Sequence, residues 1–467
     1  MPRGLARSPR RARARSSPAL RLSSWACQIG GGRQLMATAP PGPKGEDLGK
    51  LNYEFWRADM FGFLTALAER YGDVVGFDLG RSPCILVNGA LQARELFFER
   101  EACLRKPEFV KDSNRGHWGD GLTTLEASAW QARRRMLRPF FRARSVSRWL
   151  PAVAQCTGDM LDAWARDSEI DLLKELRILT ARIAARVVVD AELEGYGPSD
   201  GRSGVLPFAE AYGEEYVSVP SGDPTAPLAM MRPRAPRRME TTIRIIDERI
   251  ASGEERGDVL SDLVQARLPD GERLSRDEIA GEVIQMLYAG HLTIPSTLVN
   301  FWRDIAPTDI AARLAAEAEH LCATGVSESA AISGSYCLAA LKESMRLHPP
   351  APILYREVET AFELGGFEFS RDVAVWVSPQ LLHNDARYFP EPHRFLPERF
   401  MKGSIALTPQ SAYFPFGVGS RTCLANHFAL HQMTLITLLT ARRFQFLPTR
   451  EGSICLHTRS LTRIGLY

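Results

Sequence analysis

The stretch FPFGVGSRTCLANHFALHQM, residues 414–433, places one cysteine between a glycine-rich segment and a predicted helix. Cys423 could be a zinc ligand, a catalytic thiol or a small buried core residue. His427 and His431 follow at four-residue spacing, so a helix would bring all three side chains to one face. No fourth zinc ligand and no group to orient a catalytic base is evident nearby, and a buried cysteine does not explain the glycines.

A thiolate bound to haem iron accounts for the composition of this loop. Free amide donors at the start of a helix favour an anionic sulfur. The glycines at 417 and 419 let the backbone approach a flat ligand without a clashing side chain. Arg421 can pair with a haem propionate, and Phe416 can shield the sulfur.

The loop resembles that of the cytochrome P450 family, which reads F-x-x-G-x-R-x-C-x-G or A. Phe416, Gly419, Arg421, Cys423 and Ala425 stand at the pattern positions. The resemblance implies that Cys423 is the axial ligand of the iron and that haem b is the cofactor.

Two upstream segments, LKESMRLHPPAP and FLPERF, stand in the order that the same family requires. Glu343 and Arg346 form an E-x-x-R pair, whose spacing of three places both side chains on one helix face. Such pairs are common on solvated helices, so the pair alone says little. The resemblance implies that Arg399 completes a buried network with them and that this network holds the cysteine loop in place.

The segment SAWQARRRMLRPFF fits the family's W-x-x-x-R, in which an indole and a guanidinium reach a haem propionate. Trp130 and Arg134 occupy the two positions. A basic amphipathic helix with a packed tryptophan is the alternative. The resemblance adds Arg356 as a further propionate partner, and Arg115 and His117 as weaker candidates.

The segment MLYAGHLTIPSTLVNFW resembles the family's oxygen-binding helix, A/G-G-x-D/E-T-T/S. Ala289, Gly290 and Thr293 match, which implies room for dioxygen and a hydroxyl that donates to it. The alternative for the threonine is a helix residue that bonds back to a carbonyl.

The same helix departs from the family pattern. Leu292 stands at the position of the acid, and Pro295 should kink or open the helix because it lacks a backbone donor. The usual proton route is therefore in doubt. Water at an opened turn or His291 could replace it, although a lone histidine on an apolar helix is more often simply packed.

Composition sets limits on the class of protein. The chain has 467 residues, 45% of them hydrophobic, and a net charge of +3, which does not favour nucleic acid as a partner. No run of about 18 apolar residues predicts a membrane span. Eight scattered cysteines fit a reducing compartment.

Periodicity predicts a mainly α protein with a small β component (α+β), and the resemblance implies the cytochrome P450 fold as a single large domain over 36–467. Two short strands, VVGFDLG and CILVNG, are expected near the start of the chain, and short strands again after Arg346. The long helices are predicted at 55–71, 130–141, 147–165, 172–189, 239–251, 275–305 and 423–440.

Two segments stand apart from this pattern. The first 35 residues hold eight arginines and no acid. They resemble an organellar transit peptide, and the alternatives are a disordered arm or an upstream start read in error before Met36. The Gly- and Pro-rich segment 195–238 predicts a substrate-access lid.

The resemblance implies a monooxygenase that uses O2 and an apolar small molecule, such as a secondary metabolite. The loop around 108–121, the lid near 205–235, the helix residues 288–293 and the segment 350–355 would line its pocket, the last through Ala351, Ile353 and Leu354. Electrons would come from a separate ferredoxin and its reductase, and we expect a cytoplasmic monomer. Oxidative coupling, desaturation or rearrangement, and a non-catalytic haem protein, stay open as alternatives.

Overall fold

The computed structural model describes residues 38–43, 59–79, 82–164, 169–193, 205–206, 235–324, 335–401, 410–448, 454–458 and 463–466. The arginine-rich segment 1–35 lies outside these residues. So does the predicted lid, apart from 205–206 and 235–238.

Fourteen α-helices occur in the described ranges, and the longest of them lies in the middle of the chain. They are α1 Met60–Tyr71, α2 Ala90–Phe98, α3 Glu108–Trp118, α4 Ala127–Leu137, α5 Ala143–Val146, α6 Leu150–Trp164, α7 Leu172–Val189, α8 Ala235–Ser252, α9 Val259–Gln265, α10 Arg276–Ile305, α11 Ile310–Thr324, α12 Tyr336–Leu347, α13 Pro379–His383 and α14 Asn426–Arg443.

Thirteen short strands are described, at β1 Val74–Leu79, β2 Ser82–Val87, β3 Leu104–Arg105, β4 Glu169–Ile170, β5 Glu192–Leu193, β6 Val205–Leu206, β7 Leu354–Val358, β8 Phe362–Leu364, β9 Phe367–Phe369, β10 Ala374–Val377, β11 Phe444–Pro448, β12 Ile454–Thr458 and β13 Arg463–Leu466.

The strands form two larger sheets and two sheets of two strands each. The first sheet has the order β1-β2-β10-β7-β3, and the second has the order β11-β12-β13-β4. In the first sheet β1 and β2 form an antiparallel hairpin with Val74 opposite Val87, and β10 runs parallel to β2. Strands from the start of the chain thus pair with strands from its last third.

Local signals at their ends define the two helices that matter most for the site. Asp171 caps α7 by accepting from Lys174 N–H. Ser275 and Glu278 form a reciprocal capping box at the start of α10. Both helices therefore begin at residues whose side chains satisfy free amide donors.

Helix α10 runs through the main hydrophobic core and packs along α7, with contacts to α12 and α14 as well. Where α7 and α10 meet, a Cβ built on Gly290 would lie 3.4 Å from Ala184 Cβ. Two further clusters of buried apolar side chains, on either side of the first sheet, form separate cores beside it.

The predicted fold class is confirmed: the protein is mostly helical, with a small sheet component. The prediction for 172–189 matches α7, whereas the last helix begins at Asn426, three residues beyond Cys423. Residues 108–118, expected as a loop, form helix α3. No helix among the described residues is long and apolar enough to cross a membrane.

Candidate active site

The cysteine loop is held by its own backbone. Cys423 N–H donates to Phe416 O at 2.8 Å, and the Thr422 hydroxyl donates to Gly419 O at 2.7 Å. Gly417 N–H closes a turn onto Phe414 O at 3.0 Å. These bonds fold the segment back on itself, so that Cys423 lies just before helix α14.

Cys423 as a residue is exposed to solvent, but protein atoms surround most of its thiol. This burial raises the pKa of the thiol above its ordinary value. A hydrogen bond from Ala425 N–H and the positive Arg134 act in the opposite direction. A thiolate at this position is therefore favoured when a cation binds the sulfur.

Both glycines of the loop have the left-handed backbone conformation, with φ of 77° at Gly417 and 75° at Gly419. A Cβ built on Gly419 would lie 2.5 Å from Phe97 O. The structure thus supplies a reason for this glycine besides clearance for a porphyrin: the loop passes directly against the backbone of helix α2.

The predicted Glu343–Arg346–Arg399 network is present. Arg346 makes two bonds of 2.9 Å to the Glu343 carboxylate, and both side chains are fully buried. Arg399 Nε lies 3.3 Å from Glu343 Oε1, which also accepts from Leu396 N–H at 3.0 Å. Both carboxylate oxygens of Glu343 are thus bonded, as a buried charge requires.

His383, which sequence reasoning missed, joins this network to the cysteine loop. Its carbonyl accepts from Arg346 Nη1 at 2.7 Å, and its Nε2 accepts from Phe414 N–H at 3.0 Å. Burial, with the positive charge of Arg346, lowers the pKa of His383 to about 3, so the ring is neutral. A single histidine in SPQLLHND gave no signal in the sequence, because only tertiary contact defines its role.

Trp130, Arg134 and Arg421 are brought together as predicted. The Arg421 guanidinium carbon lies 4.3 Å from the centre of the Trp130 ring, and that of Arg134 lies 5.6 Å from it. Arg134 Nη2 donates to Thr422 O at 2.6 Å. Arg421 pairs with Glu126, while its buried Nη1 has no hydrogen-bond partner among the described residues.

Arg356 and Lys106 complete this group of cations, and Lys106 was not predicted. Burial, with the charge of Arg421, lowers the pKa of Arg356 to about 10 and that of Lys106 to about 7. The Lys106 ammonium also donates to Thr123 O. Nothing in RKPEF distinguished this lysine from a solvated one.

The donor set fits the carboxylates of haem b, which has two propionates. Lys106, Arg134 and Arg356 each lie close enough to Arg421 to be influenced by its charge, and the acids that oppose these four groups are Glu126 and Glu101. The three arginines alone outnumber these two acids, and burial lowers the pKa of all four groups. A dianionic ligand would relieve this arrangement, and Arg421 Nη1 offers it a donor.

Arg115 does not join these cations. Its guanidinium is exposed and bonds Asp112 and Asp120 at 3.0 and 2.9 Å, which raises its pKa. The side chain of His117 lies outside the described residues.

Helix α10 presents a row of small exposed side chains on an otherwise buried stretch. Ala289, Thr293 and Ser296 are exposed, and Gly290 and Leu292 are half-buried. Tyr288 is buried, so it does not share this surface. Of the three predicted residues, Ala289 and Thr293 therefore lie on one accessible stripe at helical spacing, which Ser296 extends. Gly290 is half-buried and faces Ala184 on α7.

Helix α10 is continuous from Arg276 to Ile305 with Pro295 inside it, so the chain stays helical at this point. A kink at Pro295 stays a prediction. His291 is buried, and its ring is hydrogen-bonded to the backbone of Arg177 on α7. Burial lowers the pKa of His291 to about 4. The histidine is thus packed between helices, and a role in proton delivery gains no support.

The segment 350–355, predicted to line the pocket, is accessible only in part. Ala351 is exposed and Leu354 is half-buried. Ile353 is buried in an aromatic cluster of the first sheet, together with Phe77 and Trp376.

Comparison with known proteins points in the same direction as this geometry. The family model described as Cytochrome P450 matches residues 42–202 and 230–465. The retinoic acid-bound structure of cyanobacterial CYP120A1 superposes with a TM-score of 0.73 at 24% identity, over 90% of this chain and 100% of that one.

Two curated relatives come from Streptomyces melanosporofaciens. Cyclooctatin synthase is 28% identical over 83% of this chain and 85% of its own length. Cyclooctat-9-en-7-ol 5-monooxygenase is 26% identical over 84% and 86%.

Proposed function

The chain belongs to the cytochrome P450 family, and we propose that it inserts one oxygen atom of O2 into an apolar, secondary-metabolite-like small molecule. As a member of this family it is a monooxygenase that binds haem b and uses a substrate, O2 and a redox partner. When bound, the haem supplies the activation of O2 with two electrons and two protons.

The observation that carries this proposal is the local environment of the Cys423 sulfur. Its sulfur receives the Ala425 N–H and faces Arg134, and the adjacent cations match two propionates. We assign Cys423 as the axial ligand, and Arg421, Arg134, Trp130 and Arg356 as the residues that hold the propionates. Phe416 and Gly419 shape the loop beside the sulfur.

The test is the Soret band of the reduced, carbon monoxide-treated protein. We expect the long-wavelength band of a thiolate-ligated haem in the wild type and its loss in Cys423→Ser. Cys103→Ser, at a half-buried cysteine outside the loop, should keep it. A normal Soret position in the folded wild type would overturn the assignment.

We assign Thr293 to proton donation through its hydroxyl, with Ala289 and Gly290 leaving space for O2. The exposure of Ala289 and Thr293 on a single stripe of α10 supports this, and Gly290 beside them is half-buried. Thr293→Ala should therefore divert electrons to hydrogen peroxide and lower product formation about tenfold or more, since a lost proton donor costs at least that much. Thr293→Ser should retain most of the product. If Thr293→Ala kept the wild-type ratio of product formed to electrons consumed, the assignment would be wrong.

The proposed substrate class rests on the printed name of one relative and on the accessible stripe of small side chains on α10. Cyclooctat-9-en-7-ol is, by its name, an unsaturated alcohol with a single hydroxyl. The small side chains of Ala289, Thr293 and Ser296 leave room for a bulky skeleton of this kind. We therefore propose cyclic terpenoid alcohols as the first substrates to test, with 18O2 as the oxidant.

The second candidate is oxidation without oxygen insertion, which Leu292 at the acid position favours. Coupling, desaturation or rearrangement would give a product that contains no 18O, once exchange with water is excluded. No turnover with any supplied redox partner would instead indicate a non-catalytic haem protein.

We propose that electrons come from a separate acidic carrier of the ferredoxin type. Arg135, Arg138, Arg142 and Arg144 are exposed, and no ion pair to them occurs within the described ranges. Arg138 is close enough to Arg134 to lower its pKa. An open cleft of about 400 Å³ beside the loop, with Phe98 at its edge, adds an apolar contact surface.

Charge reversal tests this surface. The double variant Arg135→Glu, Arg138→Glu should slow reduction by an acidic ferredoxin and weaken its dependence on salt. Arg244→Glu, Arg273→Glu reverses two exposed arginines elsewhere and should change little. Equal rates in the two variants would contradict the proposed surface. The cytoplasmic location and the monomeric state stay predictions for cell fractionation and size-exclusion chromatography.

A further inference from the structure

Pro295 removes one regular backbone hydrogen bond from helix α10. In an α-helix the N–H of residue 295 would donate to the carbonyl of His291, four residues earlier. Proline has no N–H, so this bond is absent. The carbonyl lies in the buried contact between α10 and α7, where the loss of a donor is costly.

A threonine of the neighbouring helix provides a donor at this point. Thr180 Oγ1 lies 3.2 Å from His291 O, and Thr180 is fully buried. The same hydroxyl is also 2.9 Å from Leu176 O and 3.2 Å from Arg177 O on its own helix. It has only one proton to give.

The three acceptors are not equivalent. Leu176 O and Arg177 O lie within the regular helix α7, where each accepts the backbone N–H four residues on. His291 O is the acceptor for which that donor has been removed by proline. Donation to it replaces the missing bond, whereas donation to Leu176 or Arg177 adds a second bond to an acceptor already used.

A second contact ties the same residue to the same turn of α7. The His291 ring is hydrogen-bonded to the backbone of Arg177, so both the ring and the carbonyl of His291 meet residues 177–180. The helices are close here, since Gly290 faces Ala184. Two residues after His291, on the exposed side of α10, lies Thr293.

We propose that Thr180 is a positioning residue: its hydroxyl replaces the backbone donor that Pro295 removes and thereby fixes the turn of α10 that carries Thr293. Its link to catalysis rests on the function proposed above, but the hydrogen bond itself does not. Proline and threonine would then form a pair, in which the need for the hydroxyl depends on the missing N–H.

A double-mutant cycle on the haem-loaded protein tests the pair. The variants are Thr180→Val, which keeps the shape and removes the hydroxyl, Pro295→Ala, which restores an N–H, and their combination. Thr180→Ser is the conservative control. The measurements are the denaturant unfolding equilibrium and hydrogen exchange of the amides in 288–297.

We expect Thr180→Val to lower the folding equilibrium constant about tenfold when Pro295 is present and to speed exchange in 288–297. In the Pro295→Ala background the same change should cost no more than about threefold, because the new N–H reaches His291 O. Thr180→Ser should stay close to wild type. Equal costs in both backgrounds would show that Thr180 only bonds back along α7, and would overturn the proposal.

A second readout tests the positioning of Thr293. With a surrogate ferredoxin and reductase, Thr180→Val should raise the hydrogen peroxide formed per electron, and adding Pro295→Ala should restore the wild-type ratio. A non-additive unfolding cycle with unchanged peroxide would overturn the positioning role while leaving the carbonyl bond in place. If the proposed oxidation itself fails, the unfolding and exchange cycle still decides the hydrogen bond.

Discussion

The cysteine loop and the Thr293 turn of α10 are fixed in different ways. The loop is anchored by a buried charge network in which Glu343 alone takes part in four hydrogen bonds, and His383 connects this network to Phe414. The Thr293 turn depends on the side chain and the carbonyl of His291, both held by one turn of α7.

This difference is consistent with the roles proposed for the two regions. A sulfur ligand has to stay at one distance from the metal, so several redundant charge-assisted bonds suit it. The turn of α10 has to leave an accessible stripe of small side chains, so only its rear face can be bonded. Removal of a single group should therefore damage the two regions by different mechanisms.

The largest expected effect concerns the charge network that anchors the cysteine loop. Glu343→Ala leaves Arg346 buried without its partner and should destabilise the protein by about 3–5 kcal/mol. The control is Glu398→Ala, which breaks an exposed pair with Arg313 at 3.3 Å and should cost less than about 1 kcal/mol. Denaturant unfolding followed by the Soret band measures both, and similar costs would mean that the network does not anchor the loop.

A pH effect of intermediate size tests the turn of α10 that carries Thr293. Burial, with the charge of Arg177, lowers the pKa of His291 from 6.5 to about 4. The folded protein then keeps the ring neutral while the unfolded chain binds a proton between pH 6.5 and 4. The stability from this residue is complete above about pH 6.5 and declines as the pH falls to about 4, by roughly 3 kcal/mol.

His291→Gln cannot titrate, so its stability curve should be flatter over about pH 4–6.5 than that of the wild type. His393→Gln, at an exposed histidine, is the control. Chemical unfolding at several pH values gives the comparison, and parallel curves for wild type and His291→Gln would contradict the burial of a neutral ring.

The smallest effect separates the two glycines of the cysteine loop. Gly419→Ala forces a Cβ against Phe97 O in a left-handed backbone and should cost about 2–3 kcal/mol. Gly417→Ala has a similar φ, but its nearest neighbour, Thr422 Cα, is 4.0 Å away, so about 1 kcal/mol is expected. Unfolding midpoints rank the two, and equal losses would mean that backbone conformation, and not the contact with α2, requires the glycine.

The sequence predicted most of the fold because its long helices carry clear hydrophobic periodicity and local caps, as at Asp171 and Ser275. It was wrong about 108–118, where a helix forms although the segment is polar and contains Gly116. At Pro295 the helix continues although proline lacks a backbone donor. In both places tertiary contact overrides a local rule. Helix α3 packs against α8 and α10, and a neighbouring side chain such as Thr180 can compensate for a missing donor.

By itself the sequence determined the family and predicted the thiolate ligand and the charge network, since each is a set of residue types at fixed spacing along the chain. Only the tertiary structure brings Lys106, His383 and Thr180 to groups that are distant in sequence, respectively Arg421, Phe414 and His291. Spacing along a chain specifies chemistry within one element, but burial and partners across elements arise only when those elements pack.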